Sequence, residues 1–230
     1  IPPLDLQQIE LVKGSSSTLY GGGAIAGMLN LVSKKPKLGS PEHSVTINSS
    51  TLQENNLNLF LSERNKTNGY TFFAGGTYQN NVDVNKDGFS DVPKTQSAFI
   101  HPKWFHYFNP KSTISVGYTF NYEDRNGGDM NVINNHADAT HQFYIKNKSL
   151  RNTVDVVYEN KISTTASFTT KACYNFFNRD INTNLFGMKA IQNLWYSEVA
   201  YSQKLKKHQL VTGINFNGDD FKKKKPDSTL

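Results

Sequence analysis

Apolar and polar residues alternate one by one along much of the chain, and a period of two is typical of β-strands with two different faces. The alternation is clearest at 113–123 and recurs at 165–176. In the first of these segments one side carries only apolar residues, Ile114, Val116, Tyr118, Phe120 and Tyr122. The same criterion predicts nine strands, at 44–52, 57–63, 70–79, 98–108, 113–123, 149–160, 165–176, 194–204 and 209–217.

The connections between these strands differ in length in a regular way. Short polar turns at 64–69, 109–112 and 206–207 alternate with longer connections at 80–97, 124–148 and 180–193. Outer-membrane barrels have short turns at one end, long loops at the other, an apolar outer face and a polar lumen. The pattern therefore predicts an all-β fold, an antiparallel up-and-down β-barrel of which this chain forms part. A soluble β-sandwich stays open as the alternative, because Greek-key crossovers can mimic part of this pattern.

Composition narrows the class further. Hydrophobic residues make up 37% of the chain, whereas aromatic residues reach 12%, which argues against a disordered chain. No run of about 18 apolar residues is present, so the sequence predicts no transmembrane helix.

A glycine-rich stretch interrupts the alternation near the start of the chain. Apolar residues alternate from Ile9, three serines and three glycines follow at 15–17 and 21–23, and a second apolar run covers 28–32. This order predicts a strand, a tight elbow and a second strand, since glycine permits the backbone angles that an elbow needs. A phosphate-binding loop is not expected, because such a loop opens a helix and carries a different glycine spacing.

The stretch at 9–36 resembles the end of the plug domain of TonB-dependent outer-membrane receptors. The residues that match the family pattern are Ile9, Glu10, Lys13, Gly14, Ser17, Leu19, Tyr20, Gly21, Ala24, Gly27, Asn30, Lys34 and Pro36. The departures are Ser15 for a usual proline, Ala26 for a common glycine, and Met28 and Leu29 for valine and isoleucine. These departures conserve the register of the pattern.

The resemblance implies a gated transporter in the outer membrane of a Gram-negative bacterium, and not an enzyme. Members bind a scarce, bulky nutrient outside the cell, and the inner-membrane protein TonB drives its import. The ending of this plug is most similar to receptors for iron complexes (siderophore or haem) or cobalamin. We expect the end of a plug at 1–36, a linker at 37–43 and the first part of a barrel at 44–230. The segment that contacts TonB is expected upstream, so the chain is expected to be a fragment, and no leader opens it.

Charge and cysteine content indicate no further candidate site. The net charge is +6, and the four lysines at 222–225, expected in a solvated loop, supply most of it. No basic face with interleaved aromatics is apparent, so nucleic-acid binding is not expected. Cys173 is the single cysteine and is expected to be an inert thiol.

The sharpest local motif is D-x-N-x-D-G-x-x-D, which predicts a Ca²⁺ loop. Its candidate ligands are Asp83, Asn85, Asp87, the backbone carbonyl of Phe89, and Asp91. Oxygen ligands at positions 1, 3 and 5, with glycine at position 6, are typical of calcium loops. Lys94 replaces the glutamate of an EF-hand at position 12, so this would be an EF-like loop without an EF-hand. An exposed Asp-Gly turn is the alternative.

A second candidate lies in the long connection at 124–148. Asp129, Met130, His136 and His141 carry side chains that could ligate haem iron or another transition metal. A solvated loop is the alternative. His101 and His106 are five residues apart on one strand, so they should face opposite sides of the sheet.

Catalytic motifs are missing from the sequence: it contains no G-x-S-x-G, H-E-x-x-H or C-x-x-C. The resemblance implies transport, with TonB, membrane lipid and an iron complex, haem or cobalamin as partners. The alternative is a soluble, calcium-stabilised β-sandwich acting as a binding or adhesion module.

Overall fold

The computed structural model describes residues 4–13 and 27–225, which form eleven strands and one short helix. Two strands near the start, β1 (Leu6–Lys13) and β2 (Gly27–Ser33), pair with each other in an antiparallel two-stranded sheet. The predicted glycine elbow at 14–26 lies outside the described residues. The two flanking strands agree with the predicted strand, elbow and strand. The assignment of 1–36 to a plug domain and of 37–43 to a linker stays a prediction.

The other nine strands form one continuous antiparallel sheet in which each strand pairs with its neighbours in sequence. The strands are β3 (Glu42–Ser49), β4 (Glu54–Arg64), β5 (Asn68–Gln79), β6 (Lys94–Asn109), β7 (Ser112–Gly128), β8 (Tyr144–Lys161), β9 (Ala166–Thr183), β10 (Gly187–Leu205) and β11 (His208–Lys225). The helix, α1 (Met130–Ile133), follows β7. The number of strands and the up-and-down order confirm the predicted partial barrel. The β-sandwich alternative is wrong, because these strands form one sheet and no Greek-key crossover joins them.

The strands extend further than the alternation predicted. The connection predicted at 180–193 is wrong, because β9 and β10 continue until only 184–186 remain between them. The four lysines at 222–225 belong to the end of β11 and not to a loop. At these ends the face that is apolar in the middle of the strands becomes largely polar, so the period-two signal disappears. The backbone hydrogen bonds between neighbouring strands continue nevertheless.

Turns at one end of the sheet are short, at 65–67, 110–111, 162–165 and 206–207. Asparagine side chains close two of them. Asn65 Oδ1 accepts the N–H of Asn68 at 2.7 Å, and Asn109 Oδ1 accepts the N–H of Lys111 at 2.8 Å. The opposite end carries the connections 50–53, 80–93, 129–143 and 184–186, two of which are long. We call this second end the outer end.

The two faces of the sheet have different environments. The face that we call inner packs against the N-terminal segment. There Phe60, Phe73 and Phe99 form a buried cluster against Leu4. His101 Nδ1 lies 3.2 Å from Asp5 Oδ2 on the same face. His106 points to the other face and contacts Asn68 Oδ1 at 2.9 Å, so the predicted opposite orientation of the two histidines is confirmed.

The opposite, outer face carries what we call the apolar band. Its residues lie in register across β6 to β10, in four successive rows. The first row contains Ala98, Tyr122, Leu150 and Ile191, and the second contains Ile100, Phe120 and Phe176. The third contains Tyr118, Val154, Tyr174 and Trp195, and the fourth contains Trp104, Val116 and Val156. With His106, Ile114 and Tyr158 in the next row, the band is about 27 Å long along the strands. That length, on strands tilted by about 40°, approaches the height of the lipid-facing band of an outer-membrane barrel.

No described helix is long and apolar enough to cross a membrane.

Candidate ligand-binding site

The two long connections at the outer end dock onto each other. Phe89 and Asp129 form an isolated antiparallel bridge between 80–93 and 129–143. The Ser90 N–H donates to the Gly128 carbonyl at 2.9 Å, and the Met130 N–H donates to the Gly88 carbonyl at 2.9 Å. The two connections, which we call the outer loop pair, therefore form one structural unit. The sequence predicted two separate candidate sites in these loops and gave no signal that they touch.

In the first loop, the predicted calcium ligands bind backbone N–H groups of the same loop. Asp83 accepts the N–H groups of Lys86 at 2.7 Å and Gly88 at 2.9 Å. Asp91 Oδ2 accepts the N–H of Val84 at 2.7 Å, and Asp87 Oδ1 accepts that of Phe89 at 2.9 Å. These hydrogen bonds hold the loop in a curled conformation.

The remaining candidate calcium ligands of this loop are Asn85 Oδ1, which accepts the Asp87 N–H at 3.2 Å, and the carbonyl oxygen of Phe89. Lys86 and Gly88 both have positive φ, which produces the tight curl. Within the described ranges, no group of three or more His, Cys, Asp or Glu side chains is arranged to hold a metal ion. The candidate ligand atoms are all oxygens, which suits Ca²⁺. Calcium binding stays a prediction.

In the second loop, Asp129 and His141 come together and the other two predicted ligands do not join them. Asp129 Oδ1 caps α1 by accepting the Asn131 N–H at 2.8 Å, and Asp129 Oδ2 lies 2.7 Å from His141 Nδ1. Met130 Sδ instead faces Asn81, whose Nδ2 donates to it at 3.2 Å. His136 is exposed, and its backbone N–H donates to the Asn131 carbonyl at 2.7 Å. Their role as ligands of an iron or another metal stays a prediction.

The Asp129–His141 contact changes the pKa of both side chains. Burial acts to raise the pKa of Asp129, but hydrogen bonds from His141 and Asn131 outweigh it and hold this pKa below its usual value. The same hydrogen bond to the Asp129 carboxylate raises the pKa of His141. The pKa of Asp138 is also lowered, chiefly because the Thr140 side chain donates a hydrogen bond to it. The pair is therefore charged at mildly acidic pH and ties the end of the loop to its start.

Beneath the outer loop pair lies a cavity of about 540 Å³ on the inner face of β7, β8 and β9. Its wall is largely apolar, and two arginines project into it from β7 and β9, the strands on either side of β8. The lining residues that define it are Phe89, Phe143, Phe186, Ile145, Ile181, Arg125 and Arg179. The rings of Phe89 and Phe143 have centroids 6.3 Å apart and join the two loops across the rim of the cavity.

The two arginines differ in how much of their charge is compensated. Arg125 Nη2 lies 3.2 Å from Glu123 Oε2, so Arg125 has a carboxylate partner on its own strand. Arg179 Nε donates to the neutral Asn147 Oδ1 at 3.0 Å, and no carboxylate contacts Arg179 among the described residues. The cavity therefore combines aromatic surface with one uncompensated positive charge, and this combination suits a bulky anion.

Sequence reasoning missed all of these lining residues except Phe89. They come from three strands and three connections, and long-range pairing such as Asn147 with Ile181 brings them together. One local signal existed: Arg125, Asn147 and Arg179 occupy polar-side positions near the ends of predicted strands.

No protein-family model matches the sequence. Solved structures do resemble it closely in fold. The ferric-catecholate import receptor Fiu of E. coli K12, in its open form, has a TM-score of 0.76 at 13% identity, covering 98% of this chain and 41% of the receptor chain. The copper transporter OprC has a TM-score of 0.79 at 11% identity, covering 96% of this chain and 34% of the transporter.

The ferripyoverdine receptor of the outer membrane of Pseudomonas aeruginosa is similar as well. Its TM-score is 0.75 at 12% identity, and the match covers 95% of this chain and 33% of the receptor. The chain thus spans between a third and about two fifths of the length of these proteins. Its fold is that of part of a TonB-dependent outer-membrane receptor, as the resemblance at 9–36 implied, and the partial barrel agrees with the alternation.

Proposed function

We propose that this chain belongs to an outer-membrane receptor that imports a bulky iron complex, a siderophore or haem, or cobalamin. The observation that carries the proposal is the cavity under the outer loop pair, with its aromatic wall and its two arginines. It lies at the end of the sheet that carries the long loops, on the face that becomes the lumen of a closed barrel. A ligand arriving from outside the cell would meet this site first.

Charge favours the iron complexes among these ligands. Ferric siderophores frequently carry negative charge and haem carries two propionates, so both suit Arg179. A hydrogen bond to a charged group contributes about 1.5–3 kcal/mol, which corresponds to a factor of roughly 10 to 150 in affinity. The similar structures support import in general and include both iron and copper proteins, so the chemistry of the cavity is the basis for this choice.

The energy source and the location follow from the same proposal. TonB in the inner membrane would drive import through a segment outside this chain, and the apolar band would contact outer-membrane lipid. The N-terminal segment supports a plug role, because Asp5 and Leu4 contact the inner face and Lys35 Nζ lies 2.5 Å from Glu159 Oε2 on β8. No catalytic step is part of the proposal.

Substitution of Arg179 tests the role of the cavity. In the full-length protein, Arg179→Gln should weaken binding of a ferric siderophore or haem by about 10- to 100-fold, because Arg179 is the uncompensated charge. Binding is measured by quenching of intrinsic fluorescence. The matched control is Arg151→Gln, since Arg151 lies on the same face, away from the cavity, with its guanidinium 4.7 Å from the Phe177 ring centroid. Equal affinity in wild type and Arg179→Gln, for every complex that binds, would overturn the assignment of the cavity.

A further inference from the structure

A second cavity, of about 660 Å³, lies at the end of the sheet opposite the outer loop pair, between the turns 162–165 and 206–207. Lys161 lines it from β8 and Lys204 from β10, and Lys206 and Lys207 line it from the second turn. Between these lysines the wall carries hydroxyl and amide groups, among them those of Ser163, Thr165, Ser202 and Gln209. We call this cavity the lysine pocket.

The charge of the lysine pocket is not compensated. Among the described residues, none of its four lysines forms an ion pair, and no carboxylate lines its wall. Glu159 lies two residues from Lys161 but contacts Lys35, whose Nζ is 2.5 Å from Glu159 Oε2. Ammonium and hydroxyl groups are hydrogen-bond donors, so the pocket suits an anion.

The lysine pocket opens on the inner face of the sheet. Lys161 pairs with Ser167, and Ser167 pairs with Ser202, so these side chains lie on one side of β8, β9 and β10. Alternation puts Glu159 on the same side, and Glu159 contacts Lys35 of the N-terminal segment. The pocket therefore shares the lumenal face with the cavity that contains Arg179. The two sites lie about 40 Å apart along β9.

The lysines in the middle of this face are neutralised. Lys103 Nζ lies 2.6 Å from Asp155 Oδ2, and Lys171 Nζ lies 2.8 Å from Glu198 Oε1. Gly117 permits the first ion pair, because a Cβ there would lie 2.3 Å from Asp155 Oδ1. The uncompensated lysines on the inner face of β6 to β10 thus collect in the lysine pocket. An anion that moves along this face would meet attractive charge at its two ends.

We propose that the lysine pocket is a second binding site for the imported anion, which it holds at the far end of the lumen before release. This inference rests on the proposed function. Catecholates, carboxylates and propionates of iron complexes are strong acceptors that match the donors of the pocket. Free phosphate has the same chemistry, but a cavity larger than the 540 Å³ cavity around Arg179 favours a bulky complex.

Titration of pyranine, a fluorescent pyrene with three sulfonates, tests the pocket without assuming which complex is imported. The detergent-solubilised full-length protein carries Arg179→Gln, so that the cavity at the outer end contributes little binding. Each hydrogen bond to a charged group corresponds to a factor of about 10 or more in affinity. Addition of Lys161→Gln/Lys204→Gln should therefore weaken pyranine binding on the order of 100-fold.

The matched control is Lys94→Gln/Lys146→Gln in the same background. Lys94 and Lys146 also form no ion pair within the described ranges, but they lie on the outer face at the outer end. The control should bind pyranine with unchanged affinity. Unchanged affinity in the lysine-pocket variant, or an equal loss in the variant and the control, would overturn the proposal.

Competition distinguishes the two sources of the anion. A ferric tricatecholate complex or haem should displace pyranine at a lower concentration than inorganic phosphate does. Displacement by phosphate at the lower concentration would make this a free-phosphate site and would overturn the proposal.

Uptake by cells separates this inference from the proposed function. Lys161→Gln/Lys204→Gln should lower the maximal rate of import several-fold and leave the concentration for half-maximal import unchanged, because the cavity around Arg179 sets that concentration. A wild-type receptor that imports no iron complex, haem or cobalamin defeats the proposed function. A wild-type receptor that imports one of them, with an unchanged maximal rate in the lysine-pocket variant, defeats only the second site.

Discussion

Gly128 shows how a single residue fixes the candidate site. Its φ is +127°, a region that favours glycine, and it lies where β7 passes into the outer loop pair. A Cβ at this position would lie 2.5 Å from the Phe143 carbonyl oxygen and 2.7 Å from Tyr144 Cα. Glycine therefore allows the start of the loop to lie against its end, and this places Phe143 opposite Phe89 at the cavity rim.

The Asp129–His141 pair holds the same loop through charge, and its contribution should depend on pH. Because the pKa of His141 is raised in the folded loop, the stabilisation of the loop by His141 is complete below about pH 6.5. It is lost as the pH rises through the folded-state pKa. Because the pKa of Asp129 is lowered in the folded loop, the stabilisation of the loop by Asp129 is complete above about pH 3.8. It is lost as the pH falls through the folded-state pKa. The loop should be most stable between these two limits.

Hydrogen–deuterium exchange of the peptide 129–143, corrected for intrinsic rates, measures this dependence in the full-length protein. Protection should fall as pH rises above the His141 pKa, and His141→Gln should remove that fall. Asp129→Asn is the control for charge, because asparagine is also a good N-cap and keeps the bond to Asn131. A pH profile that is unchanged in His141→Gln would contradict the role of the pair.

At the scale of elements, the facing of the clearly alternating strands β7 and β9 was predictable from the sequence, and the ends of the strands were not. One buried or lipid-facing side produces alternation, so Tyr118 and Thr119 were assigned to opposite faces correctly. Beyond the apolar band the outer face is largely polar, and the signal ends although the hydrogen-bonded ladder continues to Gly128 and Thr183. The cavity was not predictable, because Arg125 and Arg179 are brought together by pairing across β8, which one sequence does not encode locally.

Arginine substitutions along the apolar band test the facing of the strands. Tyr118→Arg and Val154→Arg, opposite each other in one row near the middle of the band, should each cost about 2–4 kcal/mol. Phe168→Arg lies near the end of β9 and should cost about 0–1 kcal/mol. Thr119→Arg, on the inner face, is the control. Stability is measured by urea unfolding of the full-length protein in lipid vesicles, and equal costs at Tyr118 and Thr119 would mean that the facing is wrong.

The acidic loop supports a separate prediction about calcium. Extracellular calcium modules bind with dissociation constants of about 0.1–1 mM. At a calcium concentration tenfold above the dissociation constant, loop opening should become about tenfold rarer. Tryptic cleavage after Lys86 in the full-length protein should slow by a similar factor. Asp87→Asn keeps an oxygen for the Phe89 N–H but removes a charge, so it should abolish the calcium effect. Cleavage that ignores calcium in the wild type would refute the prediction.

At the scale of the whole molecule, the chain combines two surfaces with different solvents. The inner face carries the Phe60, Phe73 and Phe99 cluster against the N-terminal segment and, at its outer end, the cavity with Arg179. The outer face carries the apolar band. A single sheet with this division is suited to separate lipid from a polar lumen, and the same division underlies the proposed function.

Uptake in cells tests the central claim most directly. A strain that lacks the full-length gene is starved of iron or cobalamin and supplied with a ferric siderophore, haem or cobalamin, with growth and accumulation of the labelled nutrient as readouts. The deletion should abolish use of at least one of these nutrients. The wild-type gene should restore it, and Arg179→Gln should restore it only at high nutrient concentration. Normal growth and uptake of all three nutrients in the deletion strain would contradict the claim.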